Sequence, residues 1–152
     1  AEIMTIFAHM NGTAIPLEEV EDEVFSQKIL GDGIAIQPAE GTLYAPCDGT
    51  IETVFETKHA VNMTAVNGAE LLMHIGIDTV KLEGKYFEAH VTDGQQVKKG
   101  DLLVSFDMDA ITAAGYKLTT PLLVCNADDY TAITPVAQGT VSAGTAAIQI
   151  TK

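Results

Sequence analysis

Short runs of apolar and β-branched residues alternate with polar turns along most of the chain. The turn signals that separate these runs recur throughout, at Asn11-Gly12, Gly31-Asp32-Gly33, Asp48-Gly49, Asn67-Gly68, Asp93-Gly94, Lys99-Gly100, Gln138-Gly139 and Ala143-Gly144. Many short strands between such turns are typical of a sandwich or barrel rather than a parallel α/β sheet. We therefore predict an all-β fold, an antiparallel β-sandwich with barrel character, in one domain over residues 1–152.

Helical signals are confined to two stretches. Residues 107–114 can form two helical turns, with Asp107 or Asp109 as the N-cap and Gly115 as the terminator. Residues 17–25 form either a turn of helix or an acidic loop that leads into the next strand. The prediction is thus one or two short helical turns within the β fold.

The strongest local signal is Asn67-Gly68, which lies between two runs of β-favouring residues. Asn-Gly supplies the two positive-φ residues of a type I′ turn, so a hairpin with a two-residue turn is predicted here. In that register Val61 faces His74, and His59 becomes the diagonal neighbour of His74 on the same face. Diagonal neighbours lie roughly 7–8 Å apart, so the two imidazoles are predicted to be within reach of each other.

The same register places Thr57 opposite Asp78, on the face that carries the two histidines. A bulge at Gly76 would shift Asp78 by one position, and a longer loop would change the register altogether. Thr57, His59, His74 and Asp78 together form the candidate site.

A pair of imidazoles is compatible with several chemistries. Neutral imidazole is a nucleophile near pH 7, and a group that binds one ring nitrogen leaves the other free to react. Proton transfer, metal binding and a covalent histidine intermediate all remain open. For His74 alone, a buried histidine with satisfied hydrogen bonds is the simpler interpretation. A metal would need a third ligand such as His90 or Asp78, but no spacing matches a zinc pattern, so no metal is expected.

Charge and missing motifs exclude several function classes. The net charge is −13, from 21 acidic and 8 basic side chains, which argues against nucleic acid and anionic membranes. The negative net charge would suit docking onto a basic protein partner, but it is explained equally well as a means of keeping the protein soluble. No P-loop or dinucleotide fingerprint is present, which argues against a nucleotide ligand, and the absence of a Gly-x-Ser-x-Gly motif argues against a serine hydrolase. We expect no cofactor. Cys47 and Cys125 are isolated, as in reduced cytoplasmic proteins, and no apolar run approaches the about 20 residues of a membrane span.

Two segments resemble the signature sequences of the glucose-family IIA domain of the bacterial phosphotransferase system. They are FETKHA at residues 55–60 and ELLMHIGIDTV at residues 70–80. The spacing of 15 residues between His59 and His74 also agrees with that family. Further similar segments follow in the family's order, at residues 16–20, 22–25, 28–36, 45–51 and 94–101.

The resemblance implies a β-sandwich that acts as a phosphotransferase through a phosphohistidine. His74 would accept a phosphoryl group from the phosphohistidine carrier HPr and pass it to a cysteine of a IIB domain. His59 would stabilise the group in transit, Thr57 would orient one of the rings, and Asp78 would lie at the edge of the site. The chain lacks a IIB-type cysteine signature, so neither of its own cysteines is expected to carry phosphoryl groups.

The resemblance also implies an apolar docking rim around the site. The matching residues are Val24, Phe25, Leu30, Phe55, Leu72 and Val80. From the residues alone, the first three are predicted to be core, with an exposed docking rim as the alternative, and the resemblance favours exposure of Val24 and Phe25. His9 stands where the family commonly has proline and is interpreted as a surface substitution, and His90 is interpreted as structural.

Two other interpretations stay open. The same face would also suit a regulatory module that holds other proteins without turnover, or a two-histidine metal-binding protein. Similar domains of beta-glucoside, trehalose and N-acetylglucosamine systems belong to longer permease polypeptides, so the sequence leaves open whether this domain stands alone. We expect a cytoplasmic protein without direct membrane insertion, associated with a membrane only through a fused or partner permease.

Overall fold

The computed structural model describes residues 2–152, which form fourteen strands and two short α-helices. The strands are β1 (Ile3–Phe7), β2 (Gly12–Pro16), β3 (Asp32–Pro38), β4 (Thr42–Tyr44), β5 (Gly49–Val54), β6 (Ala60–Ala65), β7 (Glu70–His74), β8 (Phe87–Ala89), β9 (Gln96–Val97), β10 (Leu102–Phe106), β11 (Thr120–Val124), β12 (Ala132–Pro135), β13 (Gly139–Val141) and β14 (Ala146–Thr151). The helices are α1 (Glu23–Ser26) and α2 (Met108–Ala113), with 3-10 turns at Leu17–Glu19, Thr79–Leu82 and Ala127–Asp129.

Within the described residues, the strands pair antiparallel in three sheets. The largest has the order β13-β2-β3-β11-β7-β6-β5-β9, and the smaller two are β1-β14-β12 and β4-β10-β8. The predicted all-β, antiparallel fold with short helical turns is confirmed. No helix among residues 2–152 is long and apolar enough to cross a bilayer.

The central strands of the large sheet are buried on both faces. Alternate residues of a strand point to opposite faces, and in β7 Leu71 and Met73 enter the main core, whereas Leu72 joins a second, smaller apolar cluster. That second cluster is completed by Leu17 and Phe25 from the segment that crosses the sheet between β2 and β3. This segment covers only part of that face of the large sheet, and the part of the face that stays open contains the candidate site.

The β6–β7 hairpin differs from the predicted register by one residue. The Gly68 N–H donates to the Ala65 carbonyl at 2.9 Å, and the Ala65 N–H donates to the Ala69 carbonyl at 2.8 Å. Among the loop residues, all of them described, Gly68 alone has a positive φ, 94°. The connection is therefore a three-residue loop with glycine in the left-handed region, not a type I′ turn. As a result His74 faces Ala60, and the predicted pairing with Val61 is wrong.

The helix predicted at residues 107–114 is confirmed. Asp107 caps α2 by accepting a hydrogen bond from the Ala110 N–H at 3.1 Å, and Gly115, with φ of 96°, follows its end. Residues 17–25, for which the sequence leaves helix and loop both open, contain a 3-10 turn at Leu17–Glu19 and the start of α1, joined by the non-helical residues 20–22. Asp22 caps α1 through the Val24 N–H at 2.9 Å.

His9 is fully buried, so its predicted surface position is wrong. Its Nε2 lies 2.9 Å from the Thr120 carbonyl oxygen. A carbonyl only accepts, so Nε2 carries the proton, and Nδ1 is left in the core without a partner among residues 2–152. Burial lowers the pKa of His9 to about 4, against the smaller opposing effect of the Thr120 carbonyl.

This buried imidazole should make stability depend on pH. Between the ordinary pKa of about 6.5 and the folded value of about 4, the unfolded chain takes up a proton that the folded chain does not. The free energy of unfolding should therefore fall as pH drops through this range, by about 3 kcal/mol from His9 alone. The free energy of unfolding is measured in urea at several pH values. Its slope against pH between about 4 and 6.5 should be smaller for His9→Gln than for wild type, by about 1.4 kcal/mol per pH unit. Equal slopes would contradict the prediction.

Candidate functional site

His74 is the last residue of β7 and lies on the partly covered face of the large sheet. Its Nδ1 is 2.8 Å from the carbonyl oxygen of Gly76, so Nδ1 carries the proton and Nε2 keeps a free lone pair. Gly76 has φ of 76°, and a Cβ at this position would lie 2.7 Å from the Lys117 carbonyl oxygen. The turn that holds the imidazole therefore requires glycine.

The His59 side chain lies next to His74 and comes from the residue just before β6. Lys58 has φ of 62°, and β6 begins only at Ala60, so His59 lies outside the alternating pattern of the strand. Its ring is buried, and its Nδ1 lies 2.7 Å from the Thr57 hydroxyl oxygen. The centroids of the His59 and His74 rings are 4.8 Å apart, nearly edge to face. The predicted proximity of the two rings is confirmed, although the register that suggested it is wrong.

Two phenyl rings flank the histidine pair. Phe25 packs on His74 with ring centroids 5.1 Å apart, and Phe55 meets His59 edge to face at 5.6 Å. The four rings form a continuous row in the order Phe25, His74, His59, Phe55. Each imidazole is thus held by one hydrogen bond at Nδ1 and by a ring on either side.

A depression of about 430 Å³, here called the dish, opens in front of His74. Its lining includes all six residues of the predicted docking rim together with Asp22, Asn62, His74 and Asp78. Val24, Leu30 and Val80 are 41–48% exposed, but Phe25 and Leu72 are only 5% and 7% exposed. The expected exposure of Phe25 is wrong, because α1 turns this side chain inward onto the second apolar cluster.

The environment keeps both imidazoles neutral. Burial, and then the nearby His74 ring, lower the pKa of His59 to about 4. Burial also lowers the pKa of His74, and the Gly76 carbonyl and the carboxylates of Asp22 and Asp78 oppose that effect. Near pH 7 the Nε2 atom of His74 therefore presents a lone pair rather than a proton.

The structure brings the four predicted site residues together, though not equally. His74 and Asp78 line the dish, His59 lies beside His74, and Thr57 contacts the site through His59. His90 lies elsewhere, with Nε2 2.8 Å from the Ser105 hydroxyl. Within residues 2–152, no group of three or more His, Cys, Asp or Glu side chains is placed to hold a metal ion.

Sequence reasoning missed two polar residues of the dish, Asp22 and Asn62. Asp22 carries a usable signal, since an aspartate ahead of an apolar pair marks a helix N-cap. Asn62 would have been found from the correct register, in which it faces Leu72 on the same side of the hairpin as His74.

The family model described as "phosphoenolpyruvate-dependent sugar phosphotransferase system, EIIA 1" matches residues 4–130. The chain is 48% identical over 146 residues to the PTS system beta-glucoside-specific EIIBCA component of Dickeya chrysanthemi, covering 96% of this chain and 23% of that protein. It is 46% identical over 141 residues to the PTS system glucose-specific EIIA component of Oceanobacillus iheyensis, covering 93% and 86% of the two chains.

A solved structure has the same fold. Glucose permease IIA from Mycoplasma capricolum superposes with a TM-score of 0.90 at 36% sequence identity, covering 98% of this chain and 96% of that chain. This chain spans less than a quarter of the beta-glucoside relatives that it matches but most of the length of the glucose-specific EIIA relative. The chain belongs to the EIIA 1 family of the phosphoenolpyruvate-dependent sugar phosphotransferase system.

Proposed function

We propose that this chain is a phosphoryl carrier in which His74 accepts the group from phospho-HPr and passes it to a cysteine of a IIB domain. One observation carries the proposal. The Nε2 atom of a neutral His74 is free at an open apolar dish, while Nδ1 is held by the Gly76 carbonyl. An exposed nucleophile in a shallow dish suits transfer between two proteins, which needs no enclosed substrate pocket.

In the accepting step, the lone pair of His74 Nε2 attacks the phosphorus of the donor phosphohistidine. The donor N–P bond breaks, and its electron pair returns to the donor imidazole. The phosphorylated His74 ring keeps its Nδ1 proton and gains positive charge. The Gly76 carbonyl, 2.8 Å from Nδ1, stabilises that charge.

His59 is the donor nearest to the group in transit. With the Thr57 hydroxyl donating to Nδ1, the single proton of neutral His59 lies on Nε2. That N–H can then donate to a phosphoryl oxygen on His74, whose ring is 4.8 Å away. Thr57 is in this scheme a positioning residue that fixes the tautomer of His59.

In the discharging step, a thiolate of the IIB domain attacks phosphorus, and the Nε2–P bond breaks. The electron pair of that bond returns to Nε2, so His74 ends as the neutral imidazole with which it began. Closure of a partner over the apolar dish excludes water, which would otherwise compete with the thiolate. The carboxylates of Asp22 and Asp78, which face His74, would meet basic groups on the partner.

Phosphorylation can be tested directly. The chain is incubated with HPr, its phosphorylating enzyme and phosphoenolpyruvate, and its intact mass is measured. We expect a gain of one phosphoryl group that is lost in mild acid. No mass gain with active HPr would contradict the proposal, and stoichiometric metal binding instead would favour the two-histidine metal site.

The docking rim can be separated from the core under it. Val24 is exposed at the dish, so Val24→Ser should raise the KM for HPr several-fold and change the melting temperature little. Phe25 is buried, so Phe25→Ser should lower the free energy of unfolding by about 3 kcal/mol or more. The measurements are initial rates of labelling against HPr concentration and thermal unfolding. An unchanged KM for Val24→Ser would exclude this side chain from docking.

A further inference from the structure

Asn62 is a polar side chain in the apolar wall of the dish. In the antiparallel ladder it pairs with Leu72, while His74 pairs with Ala60. Asn62 and His74 are therefore diagonal neighbours on one face of the hairpin, a separation of roughly 7–8 Å between backbone positions. Both side chains line the dish.

The amide of Asn62 is not used by the fold. Its side chain is half-buried, and it makes no hydrogen bond to any residue in the part of the chain that the structure describes, in contrast to Asn67 and Asn126. The amide atoms of Asn62 are not among the buried side-chain atoms that lack a partner, so the amide is accessible from the dish and free to bind a group there. An amide without an internal hydrogen bond in this wall is explained if it binds a group that enters the dish.

We infer that the side-chain N–H₂ of Asn62 donates a hydrogen bond to an oxygen of the phosphoryl group on His74, as a donor additional to His59. The inference rests on the proposed phosphoryl transfer. A group on Nε2 extends away from the Nδ1–Gly76 bond, into the dish that Asn62 lines. During discharge the Nε2–P bond breaks as the thiolate bonds to phosphorus, and donors to the phosphoryl oxygens stabilise that charge.

The direction of the dipole makes the proposal specific. An amide has both a donor and an acceptor, and only its donor end is attractive to a phosphoryl oxygen. Asn62→Leu removes the donor and keeps the size, whereas Asn62→Asp keeps the shape and places a second negative charge against the phosphoryl group. Discharge should therefore slow in the order wild type, Asn62→Leu, Asn62→Asp.

The test compares these variants with Thr64→Val, a matched control. Thr64 lies two residues further along the same face of β6, opposite Glu70, and outside the dish. Each protein is labelled through HPr, freed of HPr, and studied by ³¹P NMR and by chase with a IIB domain. We expect Asn62→Leu to shift the phosphoryl resonance and to discharge roughly tenfold more slowly at saturating IIB, with Thr64→Val like wild type.

Two outcomes would overturn the inference. A phosphoryl resonance and a saturated discharge rate equal to those of wild type would show that the amide does not contact the group. An unchanged resonance with a raised KM for IIB would assign Asn62 to the partner instead. Failure of wild type itself to take label would contradict the proposed carrier function, and that result is distinct from either of these.

Discussion

We expect His74→Gln to abolish acid-labile phosphorylation of this chain by phospho-HPr while leaving the fold intact. The other described residues that line the dish offer no imidazole to replace the lost nucleophile. Among residues 2–152, His74 is the one histidine that lines the dish, and in the proposed tautomer the Thr57 hydroxyl donates to Nδ1 of His59, whose proton is then on Nε2. Glutamine is a conservative test, because its amide can still donate toward the Gly76 carbonyl.

The measurement is intact mass after incubation with the phosphorylating system, together with urea unfolding at pH 7. The free energy of unfolding should change by about 1 kcal/mol or less, as for many single substitutions. His90→Gln is the matched control, since His90 is an exposed histidine that bonds Ser105 outside the site, and it should be labelled as wild type is. Undiminished labelling of His74→Gln would refute the assignment of the nucleophile.

The pattern of turns and strands predicted the fold, but the details of one loop escaped it. Asn67-Gly68 favours a type I′ turn from local propensity, yet the chain extends the loop to include Val66. The side chain of Asn67 then accepts from the Ala69 N–H at 3.0 Å, and Asn126 bonds the Gly68 carbonyl and the Glu70 N–H across the loop. The Asn126 contacts come from a residue nearly 60 positions away, which no local sequence pattern contains.

The histidine pair was predicted for a partly wrong reason. A shift of one residue should have moved His59 to the opposite face of the sheet. The left-handed conformation of Lys58 restores the contact, because His59 leaves the strand geometry just before β6 begins. Non-glycine residues adopt this conformation rarely, and nothing about a lysine in the sequence predicts it.

Burial of individual side chains was the least predictable feature. His9 is interpreted from the sequence as a surface substitution because the family commonly has proline there, but Thr120 from β11 offers it a buried carbonyl. The family resemblance favoured exposure of Phe25, but the Asp22 cap starts α1 so that this ring faces inward against His74. In both cases the decisive partner is brought by tertiary packing between distant segments.

We expect His59→Gln to take label from HPr but to release it to a IIB domain far more slowly. In the tautomer proposed above, the Thr57 hydroxyl donates to Nδ1 of His59 at 2.7 Å, and the proton on Nε2 can bind a phosphoryl oxygen on the ring 4.8 Å away. During arrival, donors on HPr would also contact the phosphoryl group, so the loss of one donor should be partly tolerated. During departure, charge must be stabilised as the bond to His74 breaks. A lost hydrogen bond of this kind costs about 2.7–4 kcal/mol, or roughly 100- to 1000-fold in rate.

A two-stage assay separates the two steps. The variant is labelled to completion, freed of HPr, and then mixed with saturating IIB, so that the chase reports the rate of transfer rather than docking. Thr57→Val provides a graded comparison, because it keeps the His59 ring but removes the hydroxyl that fixes its tautomer, and its discharge rate should fall between wild type and His59→Gln. If His59→Gln cannot be labelled, or discharges as fast as wild type, then His59 is not the donor that acts on departure, and the edge-to-face contact of the two rings serves packing alone.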